Sequence, residues 1–135
     1  MNIVIDNNIV LDALLDRDPF CEAAKSIMTA CADTHTGCLS VNSLTDIFYV
    51  LRKLIDAASA KSAIMKLIGL LKIIPIDDED CVKALSLPID DFEDALLLVC
   101  GIKIGADCIV TRDKEFLSAN ATIQILSPDK LLKLL

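Results

Sequence analysis

Short, continuously apolar runs alternate along this chain with segments of helical periodicity, and few folds accept that pattern. Ile3-Val4-Ile5 and Cys108-Ile109-Val110 carry no polar residue on either face. As strands they must be covered on both sides, which a parallel sheet between two helical layers provides. The spacing predicts a first strand at Ile3 to Ile5, a helix over about Asn8 to Leu15, and a second helix capped by Asp18-Pro19 and reaching about Ala32. Gly37 to Val41 reads as the second strand. A helix opening at Asn42 or Ser43 keeps Leu44, Ile47, Phe48 and Leu51 on one face.

Further helices are expected over Ser59 to Leu70, over Glu79 to Leu87, and from a cap at Asp90 to about Ile104, with Phe92, Ala95, Leu96 and Val99 turned inward. Lys72 to Pro75, Cys108 to Val110 and Thr122 to Ile125 complete the strands, and Ser127-Pro128 caps a last helix. No linker, repeat or low-complexity tract interrupts residues 1–135, so one α/β domain is expected. The helix around Lys61 to Leu71 reads as an ordinary core helix or as an interaction face.

Composition narrows the class. Apolar residues make up 54% of the sequence and mean hydropathy is +0.56. Even so, the most apolar stretch, Ala95 to Ile102, is far short of the ~20 residues that a bilayer requires. The start has no basic segment before Asp6, so no secretory leader is expected and a cytoplasmic location is the default. Six cysteines form no Cys-x-x-Cys pair and His35 is the sole histidine, a poor donor set for zinc; the cysteines read as reduced core residues. Net charge is −7, which argues against loose, charge-driven binding to nucleic acid.

Acids stand where strands end or helices begin, and in a parallel sheet those positions share one edge. Asp6 follows the first strand directly, with Asn8 two residues on. It reads as a site carboxylate rather than only a helix cap, because Asn7 or Asn8 would cap as well. Asp113 follows the fourth strand within Val110-Thr111-Arg112-Asp113, and the site and turn-capping readings are evenly matched. Asp90-Asp91-Phe92-Glu93-Asp94 places four acids at one helix start. Asp90 and Glu93 make a capping box, which leaves Asp91 and Asp94 on one face. Asp46, in Ser43-Leu44-Thr45-Asp46, taken alone reads as a cap. Carboxylates gathered at one edge repel unless a hard cation such as Mg²⁺ neutralises them.

Three segments carry a family likeness: Val4-Ile5-Asp6-Asn7-Asn8-Ile9-Val10-Leu11-Asp12, Asp91-Phe92-Glu93-Asp94-Ala95-Leu96, and Ile109-Val110-Thr111-Arg112-Asp113-Lys114-Glu115-Phe116. Together with Pro19-Phe20 they resemble the PIN-domain family of metal-dependent nucleases, which includes the toxins of VapBC-type toxin–antitoxin pairs. The resemblance implies a three-layer α/β/α domain with a mostly parallel five-stranded sheet in order 3-2-1-4-5. It places the family's four acids on Asp6, Asp46, Asp94 and Asp113, and its small polar residues on Asn8 and Thr111. Asp46 stands where Glu is common, one methylene shorter, and Asn8 where Ser or Thr is frequent.

The function is implied by the same resemblance. Mg²⁺ or Mn²⁺ would be held by Asp6, Asp94 and Asp113, with Asp46 completing the cluster and Asp91 outside it, for hydrolysis of single-stranded RNA. Arg17 and Arg112 are candidate phosphate contacts, and an antitoxin protein and a second copy of the chain are implied partners. The competing reading is a PIN-like module with weak or no catalysis that acts by binding RNA or protein. A haloacid-type phosphatase would need Asp-x-Asp where this chain has Asp6-Asn7-Asn8. A receiver domain would need its phosphoacceptor after the third strand and a lysine after a later one. Neither fits.

Overall fold

The computed structural model describes residues 1–135. Five strands form one sheet: β1 (Asn2–Ile5), β2 (Thr36–Ser40), β3 (Lys72–Ile74), β4 (Cys108–Val110) and β5 (Gln124–Leu126). Their order is β3-β2-β1-β4-β5, and every neighbouring pair is parallel. The expected topology is therefore the observed one. After β1 the chain winds out through β2 and β3, then crosses back to lay β4 on the other side of β1. That reversal opens a crevice at the carboxyl ends of β1 and β4.

Strand periodicity divides the core. Ile3, Ile5, Leu39, Cys108 and Val110 point to one face, where they pack with Ile9 and Val10 of α1 (Asn7–Leu14), Ala24 and Ile27 of α2 (Cys21–Asp33), and Ile47 and Leu51 of α3 (Val41–Leu54). Leu67 of α4 (Ala57–Leu70) and Leu131 of α8 (Pro128–Leu132) close that layer. Val4, Cys38, Ile74 and Ile109 point the other way, onto Leu97, Leu98 and Cys100 of α6 (Phe92–Lys103) and Phe116 of α7 (Lys114–Leu117). Adjacent residues of one strand thus feed opposite cores, which is why these runs tolerate no polar position. The short α5 (Asp78–Leu85) lies on α6 through Ala84, Ala95, Leu96 and Val99.

Five of the six cysteines are buried, as core residues should be, and burial pushes the Cys31, Cys100 and Cys108 thiols up to about 11. α5 is tied to α6 by Lys103, which donates to Asp80 at 2.8 Å and to the Pro75 carbonyl at 3.0 Å. That ammonium, with the Asp77 N–H, holds the Asp80 carboxyl below its usual range. No helix is long and apolar enough to cross a membrane.

Several local expectations are corrected. Asp18-Pro19 does not cap α2: its peptide bond is cis, the pair lies in a turn, and the helix starts from Phe20 without a side-chain cap. α6 is capped by Asp91, whose carboxylate accepts the Asp94 N–H, so Asp90 is not the cap and no capping box with Glu93 forms. Phe92 is 43% exposed rather than inward. α3 begins at Val41, which moves Asp46 into its second turn and removes it from any capping role. β5 starts two residues later than the sequence suggests. α4 fully buries only Ala60 and Leu67, leaving Met65, Ile68 and Leu70 exposed, so it is not an ordinary core helix.

Two glycines serve distinct needs. Gly105 takes a φ of +63° just past α6, where a side chain would be strained. Gly37 lets β2 pass close beneath the helices: a Cβ there would come within 2.6 Å of Leu71 Cδ2 and 2.8 Å of Cys31 Cβ. Leu71 can swing away, but Cys31 Cβ moves only with its helix. Gly37→Ala is expected to destabilise the protein by about 1–3 kcal/mol, read as a lower urea midpoint with an unchanged slope.

Candidate active site at the carboxyl edge of the sheet

The crevice above β1 and β4 is built around one hydrogen bond. Asp6 leaves β1 in extended conformation and caps α1, its Oδ1 accepting the Asn7 N–H at 2.7 Å. Its Oδ2 accepts from Thr111 Oγ1 at 2.7 Å and from Asn8 Nδ2 at 3.4 Å. The capping and site readings of Asp6 are thus both realised, one on each oxygen. Thr111, fully buried, also accepts the Asp113 N–H at 3.1 Å and Asn8 Nδ2 at 3.3 Å. One hydroxyl therefore joins the ends of both central strands. Asp113 also serves two roles, capping α7 through Glu115 N at 3.0 Å while standing close enough to Asp6 to raise its pKa.

The other acids come from the flanking helices. Asp94, in the first turn of α6, is only 9% exposed, and its pKa is pushed up to about 7 by burial first, then by Asp91, Asp6, Asp113 and Glu115. Asp6 is also raised, chiefly by burial, against the pull of its Thr111 and Asn7 hydrogen bonds. Asp46 reaches in from α3 and accepts from Asn7 Nδ2 at 3.1 Å. Glu93 is raised by burial and then by Asp46 and Asp91. The structure thus brings Asp6, Asp46, Asp91, Asp94 and Asp113 to one edge, with Asn8 and Thr111 among them.

Asp94 separates two openings. A small polar pocket is lined by Asp6, Asn7, Ser40, Asn42, Ser43, Asp46, Glu93 and Asp94, with Leu97 the one apolar residue among them. A wider cleft of about 270 Å³ lies beyond, walled by Asp90, Asp91, Asp94, Glu115 and Phe116.

No cation answers this charge. The ion pairs are Arg17 and Arg112 with Asp12, Lys25 with Asp16, and Lys103 with Asp80, and none involves an acid of the crevice. In the polar pocket the buried oxygens Asn7 Oδ1 and Asn42 Oδ1 have no hydrogen-bond partner. Hard oxygen donors, uncompensated charge and two orphaned amide oxygens suit a divalent cation of the Mg²⁺ type. No three of the acids stand together as a ready-made ligand shell; they ring an open crevice.

Known proteins share this architecture. Residues 2–115 match the family profile described as PIN domain. The chain belongs to the PIN-domain family. Ribonuclease VapC1 of Aquifex aeolicus is 28% identical to this PIN domain over 134 residues, spanning 95% of this chain and 91% of that protein. The crystal structure of Mycobacterium tuberculosis VapC20, a sarcin-ricin loop cleaving toxin, shares its fold with a TM-score of 0.73 at 16% identity, over 89% of this chain and 96% of that one. A toxin–antitoxin complex from Klebsiella pneumoniae gives a TM-score of 0.72 at 16% identity, over 93% and 97%.

The two arginines expected to contact phosphate both face Asp12 and stay about one-third exposed. Arg112 donates Nε and Nη2 to Asp12 at 2.6 and 3.0 Å, and Arg17 approaches the same carboxylate at 3.8 Å. Asp12, fully buried in α1, was not singled out from sequence. Helical spacing puts it on the same face as Asn8, one turn back, and that was the available signal. Asn8 Oδ1 accepts the Arg112 N–H at 3.4 Å, so the Thr111–Asp113 turn is pinned to α1 at both levels. Glu93 and Asn7 were missed as site residues for a simpler reason: the capping reading used up the first, and nothing local distinguishes the second.

Two outcomes test this electrostatic picture of the PIN domain. Asp12→Ala leaves Arg112 without its buried partner and should cost about 3 kcal/mol, the low end for such pairs because Arg112 keeps contact with solvent; the urea midpoint measures it. For Asp94 the sign is opposite. Its folded pKa lies above its unfolded one, so its charge costs stability fully above about pH 7, and the cost fades as pH falls toward 4. Asp94→Asn should therefore stabilise the metal-free protein at pH 8 by on the order of 1–3 kcal/mol. Thermal melts across pH should show the two proteins converging in acid.

Proposed function

We propose that this PIN domain is a metal-dependent endoribonuclease of the VapC type, hydrolysing phosphodiester bonds of single-stranded RNA. The observation that carries the reading is the set of buried, uncompensated carboxylates at the β1–β4 crevice. The relationship to Ribonuclease VapC1 across nearly the whole chain supports the reaction class. Asp6, Asp94 and Asp113 would hold Mg²⁺ or Mn²⁺, with Asp46 completing the set and Asp91 outside it. Bound there, the metal supplies a water of lowered pKa and neutralises charge on the attacked phosphate.

The chain's own residues supply orientation. Thr111 and Asn8 fix which oxygen of Asp6 faces the crevice, since both donate to Oδ2. Asn7 holds Asp46 from the opposite side. Glu93 stands beside Asp46 in the same pocket and adds a further carboxylate there. No lysine or arginine pairs with these acids, so their negative charge is left for a cation to neutralise.

The antitoxin is the natural partner on this reading, given the fold shared with the Klebsiella pneumoniae complex. The exposed apolar side chains of α4 and α5, among them Met65, Ile68, Val82 and Leu85, suit association with such a protein or with a second copy of the chain. A cytoplasmic location follows from the proposed substrate.

One observation favours a catalytically weak binding module instead: no three acids are set as a closed ligand shell. Calorimetric titration with Mn²⁺ separates the readings. The nuclease reading expects saturable binding, lost in Asp94→Asn, and no heat at millimolar Mn²⁺ would favour the module. Asp6→Asn and Asp94→Asn should each lower Mn²⁺-dependent cleavage of single-stranded RNA by about 100-fold or more while circular dichroism stays native. Full activity in both variants would sink the ribonuclease reading.

A further inference from the structure

The clefts on either side of the acid cluster carry opposite charge. On the α6 side the walls include Asp90, Asp91, Asp94 and Glu115 and no lysine or arginine. On the other side a groove of about 420 Å³ runs between the α1–α2 turn, α7 and the start of α8. Its lining includes Pro19, Phe20, Arg112, Lys114 and Pro128, with Asp129 as the one acid. Arg112 and Lys114 flank Asp113 in the chain, so this groove adjoins the proposed reaction centre directly.

The groove is also preorganised. The Arg112 guanidinium lies 4.1 Å above the centroid of the Phe20 ring, and its Nε–Nη2 edge is fixed by the two hydrogen bonds to Asp12. Neither side chain must be ordered when a ligand arrives, which lowers the entropic cost of binding. Phe20 is 41% exposed and lines the groove, so its ring is within reach of a ligand there. Asp12 carries one negative charge against Arg17 and Arg112, and Asp129 offsets Lys114, so the groove keeps one net positive charge.

Resting on the ribonuclease reading, we propose that this groove is a nucleotide subsite for single-stranded RNA, next to the phosphate that is cleaved. A base stacks on the Phe20–Arg112 pair, and the adjoining phosphate meets Lys114. Stacking on an aromatic–guanidinium platform accepts any base, and the cations offset the backbone charge. The acidic cleft on the opposite side repels a polyanion, so the strand extends from the acids toward Phe20. Charge complementarity is thus local and directional, although the chain as a whole is acidic.

The test is binding of a labelled, short single-stranded oligoribonucleotide, and of the same probe with abasic positions, to full-length protein carrying Asp94→Asn so that no cleavage intervenes. Phe20→Leu keeps the apolar contact but removes the ring. It should weaken binding of the normal probe about tenfold and erase its advantage over the abasic one. Lys114→Ala should weaken both probes and reduce the salt slope by about one. Lys83→Ala, which removes a charge from the far side of the molecule, should leave both unchanged. Unchanged affinity in Phe20→Leu and Lys114→Ala overturns the proposal and assigns the groove to another class of partner. Equal losses in Lys83→Ala and Lys114→Ala overturn it in favour of unspecific charge. If wild-type protein fails to cleave RNA with Mn²⁺ but the Phe20→Leu loss persists, the subsite stands and only the ribonuclease reading falls.

Discussion

Everything at the functional edge depends on the parallel pairing of β1 with β4, in the register that sets Ile5 beside Val110. That register carries the next residue of each strand into contact, so that Asp6 N donates to the Val110 carbonyl at 3.0 Å and the Thr111 hydroxyl reaches Asp6 Oδ2. The two partners are 105 positions apart in the chain. A slip of one residue would exchange the strand's side chains between the two cores and part Asp6 from Thr111, because strand side chains alternate. The polar residues that bound both apolar runs hold the register, Asn2 with Asp107 at one end and Asp6 with Thr111 at the other, and the chemistry of the crevice inherits it.

The acids withdrawn from solvent in this protein fall into two physical classes. Asp12 and Asp80 are paired with Arg112 and Lys103, and each ties one element to another. Asp6 and Asp94 have no cation, and burial raises their pKa values. Folding tolerates the second class only because the two cores around the sheet supply enough apolar burial to offset it. A destabilising charge cluster retained at a topological switch point is a mark of function. Its chemistry, all oxygen and no nitrogen or sulfur, indicates the kind of cation that would relieve it.

Much of this was legible in the chain. Runs without polar positions identified the strands, and their alternation with helices implied a parallel sheet. Local errors clustered where neighbouring residues were chemically equivalent. Asp90 and Asp91 are both competent caps, and only the direction from which the chain enters α6 selects Asp91. Asp46 looked like a cap because Ser43 sits three residues before it, but α3 begins at Val41, directly on the end of β2. Asp18-Pro19 carries a strong helix-start signature, overridden by a turn in which Arg17 reaches back to Asp12.

Sequence alone determined the fold class, the strand positions and the presence of acids at strand ends, because those properties arise from burial and from the period of neighbouring residues. Tertiary structure decided what each charged group does. Arg112 follows a strand end as Asp6 does, yet it turns back to a carboxylate buried a hundred positions earlier and onto the ring of Phe20. Glu93 enters the crevice beside Asp46 from the opposite layer of the sheet. Whether a charge is paired or left alone depends on which distant group arrives beside it, and local periodicity holds no record of that encounter.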